Sequence, residues 1–168
     1  MKRLAMESPL GALTLVEADG RLVALEWGRT PDSDATTPLL ARAKAAVEAY
    51  FAGSRQRFDL PLGLEGSAFQ KKAWAAMAAI PWGEVRTYGD LAARIGSSAR
   101  AMGAACRTNP LPIVIPCHRV VGAGGALTGY SGGDGLSTKQ ALLALEGALG
   151  RIDMPARTTN ASRGEFVR

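Results

Sequence analysis

Residues 87–119 read TYGDLAARIGSSARAMGAACRTNPLPIVIPCHR and decide how the second half of the chain folds. Two short runs with helical spacing are separated by GSS at residues 96–98. Thr87, followed three residues later by Asp90, resembles a capping box, although the usual partner is Glu or Gln. Two helices joined by a short turn that contains Gly are typical of a helix-turn-helix motif, and equally of a plain helical hairpin. The stretch therefore predicts a helical domain and leaves its role open.

The residues before this stretch read as a small β-rich lobe. RLAMES and GALTLVEA flank a turn at residues 9–11, and Asp19-Gly20 lies between two further β-like runs, as in a two-residue hairpin. PLLARAKAAVEAYFAG has helical spacing and stops at Gly53. RFDLPL is predicted to be one more strand. We expect this lobe to span residues 1–62, with a linker at residues 63–66.

Residues 67–150 are predicted to form a mainly helical domain. Ser67 is the expected N-cap of its first helix. PIVIP is predicted to be extended and to run into CHRVV, followed by a Gly-rich segment and a last helix, STKQALLALEGAL. The tail, residues 151–168, lacks a clear period, and we expect it to be partly disordered. The predicted fold class is α+β.

Composition limits the classes of function. The chain has 168 residues and a formal net charge of +5, which favours a polyanionic partner. Two cysteines and one histidine are too few for an ordinary zinc site or for a disulfide framework, so no metal is expected. The first residues are too polar for a signal peptide, and no apolar run is long enough to cross a bilayer. We expect a cytoplasmic protein that does not bind membranes.

The only histidine, His118, directly follows Cys117. The pair is compatible with a reactive thiol and with a buried structural cysteine, and the residues alone leave both open. In an extended chain neighbouring side chains point to opposite sides, so His118 is not expected to contact the sulfur directly. Glu146 is a candidate to orient the imidazole, unless it is an ordinary solvated helix carboxylate.

The second helix of the pair is unusually small-sided. Ala101, Gly103, Ala104 and Ala105 would let its backbone approach a DNA groove, or another helix, closely. Apart from Arg100 it has few side chains suited to reading base edges, so DNA binding would show little sequence preference.

An ordered set of motifs resembles the O6-alkylguanine-DNA alkyltransferase family: PWGEVRTYGDLA, ARAMGAACRTNP, IPCHRVVGAGGALTGYSGG and ALLALEG. The resemblance implies a ribonuclease H-like N-terminal lobe followed by a winged-helix, helix-turn-helix-like domain that carries the active site. It also implies a single-turnover methyltransferase that repairs DNA without a cofactor. Between GYSGG and the last helix an apparent insertion, at Asp134 and Gly135, departs from the family pattern.

The resemblance assigns catalytic roles position by position. Cys117 is similar to the alkyl acceptor, His118 to a water-linked base, and Glu146 to the acid that orients this base. Tyr88 resembles the tyrosine that rotates the phosphate and helps to protonate the leaving guanine. Asn109 matches the asparagine that joins the DNA-binding helix to the active-site segment.

Further residues are assigned to DNA and to the guanine pocket in the same way. Arg100 resembles the arginine that fills the space of a flipped nucleotide, with Ala101, Gly103, Ala104 and Tyr88 beside it at the DNA. The residues implied to form the pocket are Val120, Tyr130, Ser131, Gly132 and Lys139. The implied partner is double-stranded DNA bearing O6-alkylguanine, bound in the minor groove by a monomer, with O4-alkylthymine and cooperative binding as further candidates.

Three alternatives remain at this stage. An alkyltransferase-like protein binds the lesion but lacks the acceptor cysteine, which this chain has in Cys117. A helix-turn-helix regulator that binds DNA without chemistry would not account for the PCHRV and GYSGG motifs. A cysteine hydrolase would turn over repeatedly, whereas a thioether product has no good leaving group and stops after one event.

Overall fold

The computed structural model describes residues 1–31, 33, 35–54 and 57–149. The predicted tail at residues 151–168 lies outside the described residues. Within them, a small sheet with one helix is followed by a helical domain, so the predicted α+β class is confirmed. None of the described helices is long and apolar enough to cross a lipid bilayer.

Three antiparallel strands form the N-terminal sheet, in the order β1 (Lys2–Met6), β2 (Leu13–Ala18) and β3 (Arg21–Trp27). The β2–β3 turn has Asp19 at φ 52° and Gly20 at φ 73°. A two-residue turn with both φ angles positive matches the twist of the strands it joins, which is why Asp-Gly predicts a hairpin. The predicted hairpin is confirmed.

Helix α1 (Pro38–Phe51) covers one face of this sheet. Thr37 caps its first turn by accepting a hydrogen bond from the backbone N–H of Leu40, and Gly53, at φ 78°, follows its last turn. Apolar side chains of the sheet and of α1 share one fully buried core, which includes Leu13, Leu15, Leu22, Leu40 and Val47.

The prediction of a strand at RFDLPL is wrong. The segment forms only an isolated parallel bridge between Leu62 and Leu22. Leu22 donates its N–H to the carbonyl of Pro61 at 2.8 Å, and Gly63 donates back to Leu22 at 2.9 Å. Because Pro61 has no N–H, it cannot continue a hydrogen-bonded ladder.

Up to residue 149, the second half of the chain contains four α-helices, two short 3-10 turns and a two-stranded parallel sheet. Ser67 and Gln70 form a full capping box, whereas Thr87 accepts from the N–H of Asp90 as the first half of one. Gly96, at φ 67°, ends the first helix of the helix-turn-helix. The elements are α2 (Ala68–Ala78), β4 (Arg86–Thr87), α3 (Tyr88–Ile95), α4 (Ala99–Arg107), β5 (Val120–Val121) and α5 (Leu136–Leu145).

The segment before Cys117 is a tight turn, so the prediction that PIVIP is extended is wrong. The N–H of Ile115 donates to the carbonyl of Leu111 at 2.7 Å, and Ile113 has φ 75°. A positive φ is strained for a β-branched residue and reverses the chain direction. Cys117–Arg119 then forms a 3-10 turn that leads into β5.

The two halves of the chain share a core at the level of this turn. Leu25 of β3 donates its N–H to the carbonyl of Pro110 at 2.9 Å. The indole of Trp74 in α2 donates to the carbonyl of Ala105 in α4 at 2.9 Å. The first bond joins the N-terminal sheet to the segment that leads to Cys117, the second joins α2 to α4, and the buried side chains of both halves form one cluster.

Because Ser67 satisfies backbone donors at the start of α2, Ser67→Ala should lower the free energy of unfolding by about 1 kcal/mol. Urea denaturation followed by circular dichroism measures this change. Ser137→Ala is the matched control, since the Ser137 hydroxyl only donates to the carbonyl of Asp134. Equal stability of the two variants would contradict the capping role.

Candidate active site around Cys117

Cys117 lies at a cavity of about 180 Å³ between the two halves of the chain. Its side chain is almost fully buried, with an exposure of 6%. The lining combines β3, the end of α4, the turn after it and the Gly-rich segment: Leu25, Glu26, Trp27, Cys106, Arg107, Asn109, Pro112, Cys117, Gly129, Tyr130, Ser131 and Gly132.

The thiol of Cys117 is held neutral by its surroundings. Burial raises its pKa, and a hydrogen bond from Asn109 and the positive charge of Lys139 oppose this effect only in part. Burial also raises the pKa of Cys106, to about 12. A thiolate at Cys117 therefore needs a base that takes its proton during a reaction.

Asn109 holds the strained turn in front of Cys117. Its Nδ2 donates to the carbonyl of Ile115 at 2.8 Å, and its Oδ1 accepts from the N–H of Leu111 at 2.9 Å. The side chain thus ties both ends of the turn that contains Ile113 with its positive φ. Since a buried strained backbone persists only when its surroundings fix it, Asn109 sets the position of the following Cys117.

His118 is fully buried and pairs with Glu146, the residue that caps the end of α5. Its Nε2 lies 2.7 Å from Oε2 of Glu146. Because the carboxylate only accepts, Nε2 carries the proton and Nδ1 is free to act as a base. Nδ1 is buried without a hydrogen-bond partner among the described residues. Burial lowers the pKa of His118, which keeps the imidazole neutral.

No hydrogen bond joins His118 to Cys117 in the part of the chain that the structure describes. This agrees with the expectation that the two side chains do not contact directly, but the reason differs. The pair lies in a 3-10 turn rather than in an extended segment.

Two residues that the sequence did not single out complete the surroundings of Glu146. Arg119 binds the carboxylate through Nε at 2.7 Å and Nη2 at 3.0 Å, and Tyr50 of α1 donates its hydroxyl to Oε2 at 2.5 Å. Burial alone would raise the pKa of Glu146, but His118 and Arg119 lower it to about 2. The carboxylate is therefore fixed and charged.

Tyr88, Val120 and Lys139 lie beside the cavity and not among its lining residues. Nζ of Lys139 donates to the carbonyls of Val120 at 2.6 Å and Thr128 at 2.7 Å, and lies 5.8 Å from the centre of the Tyr88 ring. Burial lowers the pKa of Lys139 to about 8 and raises that of Tyr88 to about 12. Lys139 thus joins the Gly-rich segment to β5.

The pocket residues Tyr130, Ser131 and Gly132 of GYSGG line the cavity together with the end of α4. The hydroxyl of Tyr130 is buried without a partner among the described residues, and Ser131 is exposed. Gly132 lies against Trp27, since a Cβ at position 132 would be 2.3 Å from Nε1 of the indole. Trp27 ends β3 in the predicted β-rich lobe, and nothing in the sequence singled it out as a residue of the cavity.

Apart from Tyr88, which begins α3, the candidate DNA-binding residues lie on α4. Arg100 is exposed, whereas the small residues Ala101, Gly103 and Ala104 are half-buried. The last residues of the same helix, Cys106 and Arg107, line the cavity. One helix therefore carries both the exposed Arg100 and two of the residues that line the cavity of Cys117. The described residues contain no cluster of His, Cys, Asp or Glu able to hold a metal ion.

The buried carboxylate makes stability depend on pH. The pKa of Glu146 is lower in the folded protein than its usual value of 4.5, so its contribution is complete above about pH 4.5 and is lost as the pH falls towards 2. Glu146→Gln should therefore be less stable than the parent protein by about 3 kcal/mol at pH 7, and this difference should shrink at pH 3.

Urea denaturation at both pH values measures this difference. Glu84→Gln is the control, because it breaks only the partly exposed Glu84–Arg86 ion pair and should change stability by less than about 1 kcal/mol. A stability difference between Glu146→Gln and the parent that is the same at pH 7 and pH 3 would rule out this role of the carboxylate.

Comparison with known proteins agrees with this arrangement. Residues 68–148 match the family described as 6-O-methylguanine DNA methyltransferase, DNA binding domain, and residues 1–64 match its ribonuclease-like domain. The chain is 45% identical to the constitutive methylated-DNA–protein-cysteine methyltransferase of Bacillus subtilis, over 75% of this chain and 84% of that protein. It is 47% identical to the methylated-DNA–protein-cysteine methyltransferase of Mycolicibacterium paratuberculosis, over 84% and 89% of the two chains.

A solved structure, Mycobacterium tuberculosis OGT in complex with DNA, superposes with a TM-score of 0.77. It has 41% sequence identity, and the match covers 87% of this chain and 93% of that one. Both the sequence and the fold are shared over most of their length. The chain belongs to the 6-O-methylguanine DNA methyltransferase family.

Proposed function

We propose that the chain repairs DNA by direct reversal of damage, taking the alkyl group of an O6-alkylguanine onto Sγ of Cys117. The observation that carries the proposal is the geometry around this sulfur: it borders a cavity between the two halves of the chain, next to a buried His118–Glu146 pair. The similarity to methylated-DNA–protein-cysteine methyltransferases supports the same reaction.

In the transfer step, Sγ of Cys117 attacks the alkyl carbon, an S–C bond forms, and the bond from this carbon to O6 of guanine breaks. The thiol proton passes through a bridging water to Nδ1 of His118, which Glu146 orients through Nε2. The leaving guanine takes up a proton, which the hydroxyl of Tyr88 helps to deliver, while Ser131 contacts the base. The product is a thioether, so each chain reacts once.

The reacting atom lies inside the base stack, so the nucleotide has to leave the duplex and enter the cavity. We assign this step to α4. Its half-buried Ala101, Gly103 and Ala104 allow a close approach to the minor groove, and the exposed Arg100 fills the space of the flipped nucleotide. The net charge of +5 favours binding to phosphates whatever the sequence.

The proposed pocket includes Tyr130 and Gly132, which line the cavity. It also includes Val120 and Lys139, which lie behind the lining residues and are hydrogen-bonded to each other. We propose one domain boundary near residues 63–66, between a lobe that closes the cavity and a domain that binds DNA. The protein is proposed to act as a monomer in the cytoplasm, where a reducing environment preserves the thiol.

The first test is the mass of the protein after incubation with duplex DNA that contains O6-methylguanine. The parent chain should gain one methyl group, on the peptide with Cys117, and saturate at one per chain. Cys117→Ala should gain none and still bind the lesion. Cys106→Ser, the control, should still reach one methyl per chain.

Two outcomes would contradict the proposal. Tight binding of the lesion by the parent chain without a gain in mass would identify a lesion-recognition protein. A methyl group that remains on Cys117→Ala would place the acceptor elsewhere.

A second variant separates base flipping from chemistry. Arg100→Ala should slow transfer from duplex DNA by about tenfold or more, because the gap in the stack stays unfilled. Its reaction with free O6-benzylguanine should stay within about twofold of the parent rate, since that substrate needs no flipping. Arg42→Ala, an exposed arginine on α1, is the control for lost positive charge. An equal loss on both substrates would refute the flipping role.

A further inference from the structure

The hydroxyl of Tyr50 reaches the proposed proton relay from the N-terminal lobe. We propose that Tyr50 is a positioning residue for alkyl transfer, whose hydroxyl fixes the Glu146 carboxylate that orients His118. The inference rests on the proposed function, since it concerns the same site. It gives the β-rich lobe, which supplies neither Cys117 nor the proposed DNA-binding helix, a part in positioning the proposed proton relay.

Three donors converge on one oxygen of Glu146. Its Oε2 accepts from the hydroxyl of Tyr50 at 2.5 Å, from Nε2 of His118 at 2.7 Å and from Nη2 of Arg119 at 3.0 Å. Oε1 accepts from Nε of Arg119 at 2.7 Å. The bond from Tyr50 therefore competes for the same atom that holds the imidazole, and it limits how far this atom can move.

The ring of Tyr50 has little freedom to turn the hydroxyl away. Tyr50 is fully buried. Its ring centre lies 5.3 Å from that of Phe51, 5.8 Å from that of Phe58 and 5.3 Å from that of Trp82. Contacts with Phe51 and Trp82 are edge-on, the arrangement that aromatic pairs favour. Packing thus aims the hydroxyl at Glu146 before any substrate binds.

Tyr50 acts as a hydrogen-bond donor and not as a base. Burial, followed by the charge of Glu146, raises its pKa far above the usual value for tyrosine, so the hydroxyl stays protonated. It is also absent from the lining of the cavity that holds Cys117. Its effect on the reaction must therefore pass through Glu146 and His118.

Loss of this donor has a defined electrostatic consequence. The charged groups that face His118 are Glu146, Arg119 and Lys139, and Tyr50 faces the same carboxylate. Without the Tyr50 hydroxyl, less of the negative charge of Glu146 is compensated. The carboxylate then stabilises a protonated His118 more strongly, and the imidazole loses its base form at a higher pH than in the parent protein.

The test compares Tyr50→Phe with the parent chain, because this change removes the hydroxyl and keeps the ring. The rate of transfer from free O6-benzylguanine should fall about 3- to 10-fold near pH 7, and the acidic limb of its pH profile should move to higher pH. Binding of O6-methylguanine duplex DNA, measured in the Cys117→Ala background, should change by less than about twofold, since no DNA contact is lost.

Thr37→Val is the matched control. The Thr37 hydroxyl also donates to a carboxylate, that of Glu17, at 2.5 Å, and it lies at the opposite end of the same helix. This variant should lose stability without a shift in the pH profile. If Tyr50→Phe lowers the rate by the same factor at every pH, or loses stability without a shift in the pH profile as Thr37→Val does, Tyr50 has only a structural role and the proposal fails.

A spectroscopic measurement separates this inference from the proposed function. The chain contains one histidine, so nitrogen-15 labelling of histidine gives signals from His118 alone. Tyr50→Phe should raise the pKa of His118 relative to the parent, even if the parent shows no alkyl transfer at all. An unchanged pKa would overturn the inference while leaving the transfer reaction intact.

If Tyr50→Phe does not fold, 3-fluorotyrosine placed at position 50 keeps the ring and gives a stronger donor. The pKa of His118 should then move in the opposite direction, below that of the parent protein. A pKa of His118 that does not respond to this stronger donor would equally overturn the inference.

Discussion

The buried carboxylate of Glu146 is the constraint on which the site depends. A charge removed from water is strongly unfavourable unless donors surround it. Here the donors come from two separate parts of the chain, Tyr50 of α1 and the pair His118 and Arg119 of the 3-10 turn, and the carboxylate itself ends a third, α5. The charge can be accommodated only when all three segments have reached their places. Completion of the fold and assembly of the hydrogen-bond cluster around Glu146 are therefore the same event.

A second set of constraints acts on the backbone that carries the thiol. The side chain of Asn109 closes the turn around Ile113, and Lys139 joins the Gly-rich segment to β5 through two carbonyls. Both are polar side chains whose bonds go mainly to backbone atoms. They fix the backbone around the cavity, whereas Glu146 fixes the imidazole of His118. Cys117 and His118 are thus held in place by different residues.

Local signals in the sequence predicted much of this structure. The Asp19-Gly20 hairpin and the Ser67 cap follow from turn and capping chemistry, and the ordered motifs led to Cys117, His118 and Glu146. Two local predictions failed because proline and a positive φ overrode the apolar pattern, at RFDLPL and at PIVIP. Tyr50 and Trp27 were missed for another reason. Each lies in an element whose spacing indicates an ordinary core residue, and only the contact between the two lobes, which the sequence does not encode locally, gives it a place at the site.

The position of Trp27 has an optical consequence. Its indole borders the cavity of Cys117 and lies against Gly132. The other two tryptophans lie outside the cavity lining: Trp74 of α2 is buried against α4, and Trp82 packs on Tyr50. Indole emission follows the polarity and the quenching groups around the ring. A base that enters the cavity, or a sulfur that becomes a thioether, changes the environment of one tryptophan out of three. The chain therefore carries a fluorophore of its own at the cavity, and occupancy can be followed in real time without a label.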